Sequence, residues 1–300
     1  MELWIPVTVG AAFCQNLRSA LQKHLKGRLS TSGATFSRFC YAFPFAALYV
    51  AGLALLGGME LPSPNPRFAA YCVLGGVTQI IATALLVYLF SFRNFAVGTT
   101  YSKTETIQTA LFGIVILGDP LGIGALGAIL ISLVGVFLIS VAKGGPSAGA
   151  LLASLRDRTA LIGIASGGFF GISAVSYRAA SLSLGGEGFL MQAGFTLACV
   201  TVLQTIGMGL YIRAREPGQL TEVARAWRVA GLVGLSGMLA SAGWFTAMTI
   251  QNAAYVRALG QIELVFTFVA SVFFFKEKVT RLELAGIALV VAGILLLLLT

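Results

Sequence analysis

The sequence predicts an all-α polytopic membrane protein with ten transmembrane helices in two inverted five-helix repeats. Three observations lead there. Hydrophobic residues make up 57% of the 300 and charged residues only 10%, whereas a soluble domain carries about 25% charged residues; this chain cannot cover a water-facing surface. Apolar segments of the roughly 20 residues that a bilayer crossing needs recur along the whole length. Residues 101–140 and 255–298 read as two copies of one pattern, since a shift of 158 positions lays Glu105 on Glu263, Asp119 on Glu277 and Gly135 on Gly293. Five crossings in each half is an odd number, which forces the second half to sit upside down relative to the first.

Breaks at charged or Gly/Pro clusters set the spans. Span 1, residues 3–21, has no basic residue ahead of its apolar stretch and reads as a retained helix, not a cleaved leader. Spans 2 to 5 cover 34–57, 67–89, 95–117 and 122–142, closing a first repeat over 1–142. Residues 143–158, KGGPSAGALLASLRDR, form the linker. The second repeat, 159–300, holds spans 6 to 10 at 159–180, 188–211, 229–251, 254–275 and 281–299. Gly163, Gly167 and Gly171 recur every four residues on one face of span 6, where a neighbouring backbone can approach closely. Gly127 and Gly135 in span 5, with Gly286 and Gly293 in span 10, predict a second tight contact. The longest connections, 143–158 and 212–228, are too short to bury a core.

Charge sets the orientation. Connections after odd-numbered spans carry fourteen Lys and Arg, and those after even spans, with the termini, carry only Arg67. The positive-inside rule puts the odd connections in the cytoplasm and both chain ends on the outer face of the inner (plasma) membrane. The net charge of +9 is therefore explained by lipid headgroups and topology, with no nucleic acid as partner. Cys14, Cys40, Cys72 and Cys199 fall inside spans without CxxC spacing, and the sole histidine, His24, sits in a basic loop. Neither a disulfide framework nor a metal site is expected. P-loop and GxSxG motifs are absent, so neither an enzyme nor a cofactor is expected.

The polar residues inside the spans point to a site. A charge at the bilayer centre costs about 2.5–3.5 kcal/mol on insertion scales, so it faces a partner, water or the bundle interior. Arg18, Arg38, Arg178 and Arg257 lie near span ends, from which snorkelling to the interface is open to them. Lys103, Glu105 and Glu263 lie too deep for that. Helical spacing puts Tyr101, Glu105 and Gln108 on one stripe of span 4 and Lys103 on another, so this span is buried or lines a cavity. Two readings stay open: Lys103 with Glu263, or Arg257 with Glu105, form ion pairs that lock the halves together, or at least one of these residues contacts substrate or proton. Gln15 and Asn16, Gln79 and Thr83, Gln192 and Trp244 are milder midspan candidates. Trp244 aligns with Thr83 at a shift of 161, so both are expected near one central pocket. Asp119, in LGDPLG, reads as a turn and capping residue.

The run YVRALGQIELVFTFVASVFFFKEKVTRLELAGIALVVAGILLLL, at 255–298, resembles the closing segment of EamA-type members of the drug/metabolite transporter superfamily, and residues 101–140 repeat it with Asp119 in place of the usual glutamate. The resemblance implies a ten-helix inverted-repeat bundle with a central cavity lined by helices 1–4 and 6–9, helices 5 and 10 set to the side, and export or exchange of small metabolites, often amino acids. Lys103 and Glu105 depart from the family by placing charge in span 4, and the charge count opposes the cytoplasmic termini commonly drawn for it. The expected function is a secondary transporter that moves amino acids or related zwitterions by alternating access. Lys103, Tyr101, Gln79, Thr83, Trp244, Glu263 and Arg38 form the expected substrate site, with Glu105 as the proton-coupling residue. The expected partners are a small-molecule substrate, the lipid bilayer and protons, with the protein a monomer or homodimer. A sugar, nucleotide-linked or lipid-linked substrate, or a non-transporting membrane subunit, are the alternatives.

Overall fold

A computed structural model of the protein describes residues 2–89, 91–92, 100–142, 149, 157–186, 188–273 and 280–299, without the side chains of 267 and 270–273. The start of span 4 at 95–99, most of the linker and the turn holding Glu277 lie outside the described residues. Every regular element among the described residues is helical, as a bilayer demands of backbone that must satisfy its own hydrogen bonds. In order these are α1 (Trp4–Leu25), α2 (Thr31–Cys40), α3 (Ala42–Leu55), α4 (Pro66–Leu89), α5 (Glu105–Phe112) running into a π turn (Gly113–Leu117), α6 (Ile123–Ala142), α7 (Arg158–Ser183), α8 (Phe189–Arg215), α9 (Gln219–Arg225), α10 (Trp227–Ile250), α11 (Ala253–Leu259), a 3₁₀ turn (Gly260–Ile262), α12 (Glu263–Phe273) and α13 (Arg281–Leu298).

Local chemistry sets several of these ends. The Ser30 hydroxyl accepts from the Gly33 amide at 3.0 Å to open α2, and Thr280 accepts from the Glu283 amide at 3.1 Å to open α13, in the Thr-x-x-Glu spacing of a capping box. Gly118, at φ 67°, turns the chain out of the π turn in a conformation that side-chain-bearing residues avoid.

Among the described residues, seven helices are long and apolar enough to cross a membrane: α2 with α3 as Thr31–Leu55, then α4, α6, α7, α8, α10 and α13. Expected spans 1, 4 and 9 fall outside this set, and these are the ones that carry Arg18, Lys103 with Glu105, and Arg257 with Glu263. Their polarity and their breaks keep them from reading as plain apolar crossings. Large apolar side chains such as Leu55, Leu56, Val115, Ile123 and Leu210 point outward, while Thr8, Gln22, Thr35, Gln79 and Gln204 are buried. This inverts the pattern of a soluble protein.

Three helix pairs dominate the packing: α1 with α10, α4 with α7, and α6 with α13. Each joins one half of the chain to the other. The repeat equates α1 with α7 and α4 with α10, so the first two pairs are one contact seen from each half, and the third maps onto itself. In the α6–α13 contact a Cβ on Gly135 would lie 2.6 Å from the Gly286 carbonyl oxygen, and one on Gly293 would lie 2.7 Å from that of Ala128. Gly127 meets nothing within 4 Å and, contrary to expectation, takes no part in this contact. On α7, a Cβ at Gly167 would lie 2.8 Å from the Ser102 carbonyl oxygen, and one at Gly171 would lie 3.1 Å from the Thr109 amide nitrogen. These two glycines let the polar fourth span approach.

Candidate functional site

Between the halves lies a cavity of about 450 Å³, lined among others by Gln15, Asn16 and Arg18 of α1, Arg38 of α2, Gln79 of α4, Lys103 and Glu105, Tyr177 of α7, Trp244 of α10, and Arg257 with Glu263. Its lining extends to Lys23 and Leu86, in the last turns of α1 and α4, and in the other direction to Met248. Helices α6 and α13 supply none of the described lining residues, in keeping with their place at the side. Helix α8 supplies none either, although the resemblance implies that it should.

Both halves break a helix at the same point of the repeat. Residues 103 and 104 form a turn before α5 restarts at Glu105, and the 3₁₀ turn Gly260–Ile262 precedes the restart of α12 at Glu263. The shift of 158 carries one break onto the other. A carboxylate in the first turn of each half-helix suits the positive end of the helix dipole, and interrupted helices of this kind build binding sites in inverted-repeat transporters. The first break left no sign in the sequence, because no Gly or Pro interrupts 100–112 and the polar residues alone still fit a continuous helix; at the second, Gly260 was the only one.

The breaks allow charges from one half to reach the other. Lys103 pairs through Nζ with Oε1 of Glu263. Arg257 Nε lies 2.9 Å from Glu105 Oε1, and its guanidinium carbon sits 4.8 Å from the centre of the Trp244 ring. Both ion pairs considered from sequence are thus present together. Gln15 joins them: its Nε2 donates to Glu263 Oε2 at 3.2 Å, and its Oε1 accepts from Trp244 Nε1 at 3.0 Å. Gln261, the repeat equivalent of Lys103, donates through Nε2 to Thr106 Oγ1 at 2.7 Å.

Other expected residues take different places. Arg38 is 5% exposed and donates through Nη1 to Thr83 Oγ1 at 2.8 Å, so Thr83 acts on the cavity through this arginine. Arg18, 4% exposed, also turns inward. Both side chains are buried in the cavity lining and do not reach outward as snorkelling would require. Tyr101 lies away from the cavity: its ring packs on Phe137 with centroids 6.1 Å apart, in a small apolar cluster with Ala160. The turn at 103–104 dissolves the expected Tyr101–Glu105–Gln108 stripe, and Gln108 donates instead to Thr104 Oγ1 and to the Ile164 carbonyl. Gln192 donates to the carbonyls of Gly185 and Gly186 and is a connection residue.

Two features were missed. Tyr177 donates through its hydroxyl to Gln79 Oε1 at 2.9 Å, and Gln204 Nε2 donates to the same oxygen at 2.9 Å, so Gln79 is held from two sides. The signal was a Tyr and a Gln inside predicted spans. The other is a clasp at the far end: Arg178 Nε donates to Asp119 Oδ2 at 2.9 Å, and its Nη1 donates to the carbonyls of Met248 at 2.7 Å and Gln251 at 2.8 Å. Asp119 is therefore an ion-pair residue instead of a cap, and Arg178 is not an anchor at the interface.

An all-helical, duplicated membrane bundle with a polar cavity between its halves defines the class. Sequence comparison gives the family: the profile of the EamA-like transporter family matches residues 2–141 and again 158–299, and the chain belongs to that family. It is accordingly a membrane transporter of the drug/metabolite transporter superfamily. One crystal structure of a protein superposes on it with a TM-score of 0.64 at 16% identity, over 96% of this chain and 98% of the other. That likeness is one of fold. No curated relative matches the chain in sequence.

Proposed function

We propose that the protein is a secondary transporter with ten crossings that carries a small, carboxylate-bearing polar metabolite, of the amino-acid class, across the plasma membrane by alternating access. The observation that supports this most is the central cavity, whose charged lining comes from both halves. A site shared between inverted repeats changes its exposure when the halves rock against each other. Lys103 and Gln15 hold Glu263 while no substrate is bound, Lys103 meets the substrate carboxylate, and Trp244 forms an apolar wall beside the site. Glu105, tethered to Arg257 in the cavity lining, is the proton-coupling carboxyl. The fourteen basic residues of the odd connections support chain ends outside and the Lys23 end of the cavity toward the cytoplasm, where a substrate for export would load.

Counterflow in proteoliposomes with a panel of labelled amino acids tests this reading. Saturable exchange that disappears in Lys103→Ala is expected. A folded, monodisperse protein that moves neither these nor other small carboxylates would return it to the non-transporting class.

A further inference from the structure

The cavity carries more positive charge than its acids offset. Four cations, Arg18, Arg38, Lys103 and Arg257, face two acids, Glu105 and Glu263, with Lys23 at the rim. Lys103 and Arg257 engage the two acids, which leaves Arg18 and Arg38. Their stems run side by side over Gly237: a Cβ placed there would lie 3.4 Å from Arg18 Cδ and 3.6 Å from Arg38 Cγ. Among the described residues, Arg38 contacts Thr83 and the face of Phe39, and Arg18 reaches only Ser19 Oγ at 3.5 Å. Its buried Nε has no hydrogen-bond partner. Glu105 acts on both arginines electrostatically but hydrogen-bonds neither.

Two buried like charges repel, and a buried donor without an acceptor bears its full desolvation cost. A planar guanidinium fork fits a carboxylate or phosphate in bidentate fashion. We propose that Arg18 and Arg38 form an anion receptor, so that within the carboxylate-bearing class the substrate carries net negative charge, as an acidic amino acid, a dicarboxylate or a phosphorylated acid does, in preference to a neutral zwitterion. This deepens the transport reading and rests on it. Within it, Arg18 and Arg38 hold the anionic group while Trp244 and Phe170 face the carbon skeleton.

The experiment is calorimetric titration of the purified full-length protein with succinate, glycerol 3-phosphate, leucine and putrescine, followed by flux of the same four in proteoliposomes. Succinate or glycerol 3-phosphate is expected to bind, whichever of the two shows the preferred group, while leucine and putrescine do not. Arg18→Gln and Arg38→Gln are each expected to weaken anion binding on the order of a hundredfold, and Arg38→Lys, which keeps charge but loses the fork, by about tenfold. Should the glutamine variants fail to fold, Arg38→Lys and the anion preference of the parent still decide. Leucine or putrescine binding as tightly as the anions, or no binding of any of the four at millimolar concentration, overturns the anion receptor. Flux of leucine or putrescine alone would leave the transporter standing without it, whereas anion binding without flux would leave the receptor and remove the transporter.

Discussion

Arginine meets carboxylate in two places in this molecule, and the two places are built to opposite ends. In the clasp, one cation meets one acid: Arg178 spends its Nε on Asp119 and its Nη1 on the Met248 and Gln251 carbonyls, with both side chains mostly buried. The clasp is charge-balanced, and both Nε and Nη1 of Arg178 meet acceptors. It ties α7 to the turn after α5 and to the end of α10, where exposed carbonyls favour a cation. In the cavity four cations face two acids, and the Arg18 Nε lacks an acceptor. A saturated cluster closes a gap between helices, and an unsaturated one leaves room for a ligand. Met248 connects them, since it lines the cavity while its carbonyl receives Arg178. The clasp lies beyond Met248, and in the proposed alternating-access cycle it is the contact that opens.

The largest expected effect lies at the centre. Lys103→Ala should abolish transport, by at least ~100-fold, with little loss of folded protein, because the Lys103 and Glu263 side chains keep 27% and 12% of their surface exposed and cavity water can solvate the freed carboxylate. Labelled flux measured beside size-exclusion yield checks this. Normal flux would show that the central pairs are as purely structural as the clasp. At the clasp the balance should reverse: Arg178→Ala leaves Asp119 and two carbonyls without their donor and should cost about 2–4 kcal/mol of stability. Asp119→Asn keeps an acceptor oxygen and should cost about 1 kcal/mol. Thermal unfolding in detergent measures both, and an unchanged midpoint in Arg178→Ala would remove the clasp from the account.

How much of this was legible in the sequence follows a physical line. The duplication, seven of the crossing segments and the place of Lys103, Glu105 and Glu263 in a shared cavity were readable, because charge in an apolar span has few explanations. Arg18 and Arg178 were not, since distance from a span end is counted along the chain, and whether a stem turns to the interface or inward depends on neighbouring helices. Tyr101 was misplaced because helical spacing was projected through residues 103–104, where the helix breaks. Asp119 was read as a cap since its partner, Arg178, lies 59 residues away and on another helix.

A sharper cut within the centre comes from Glu105→Gln. The amide keeps the shape of the side chain but cannot release a proton, so substrate exchange should persist while accumulation driven by a pH gradient falls by about tenfold, the scale of a one-unit gradient. Glu263→Gln should by contrast impair binding itself, since Glu263 accepts from Gln15 and pairs with Lys103. Comparing counterflow with pH-driven uptake separates the two. Uphill transport by Glu105→Gln equal to that of the parent would move the coupling site elsewhere.

The smallest expected effect belongs to Trp244, whose indole sits over the Arg257 guanidinium at 4.8 Å and donates to Gln15 at 3.0 Å. Trp244→Phe keeps an aromatic face for Arg257 but removes the donor, and with it the hold on a glutamine that itself supports Glu263. One neutral hydrogen bond is worth about 1 kcal/mol, so substrate affinity should fall roughly fivefold. Trp244→Ala removes the wall as well and should change the order of preference among substrates of different size. A Cβ on Gly260 would lie 2.5 Å from the indole Cη2, so the ring presses on the broken segment of the ninth span as well as on the cavity. If Trp244→Ala lowers only the melting temperature and leaves selectivity unchanged, the ring serves the break between α11 and α12 and does not face the substrate.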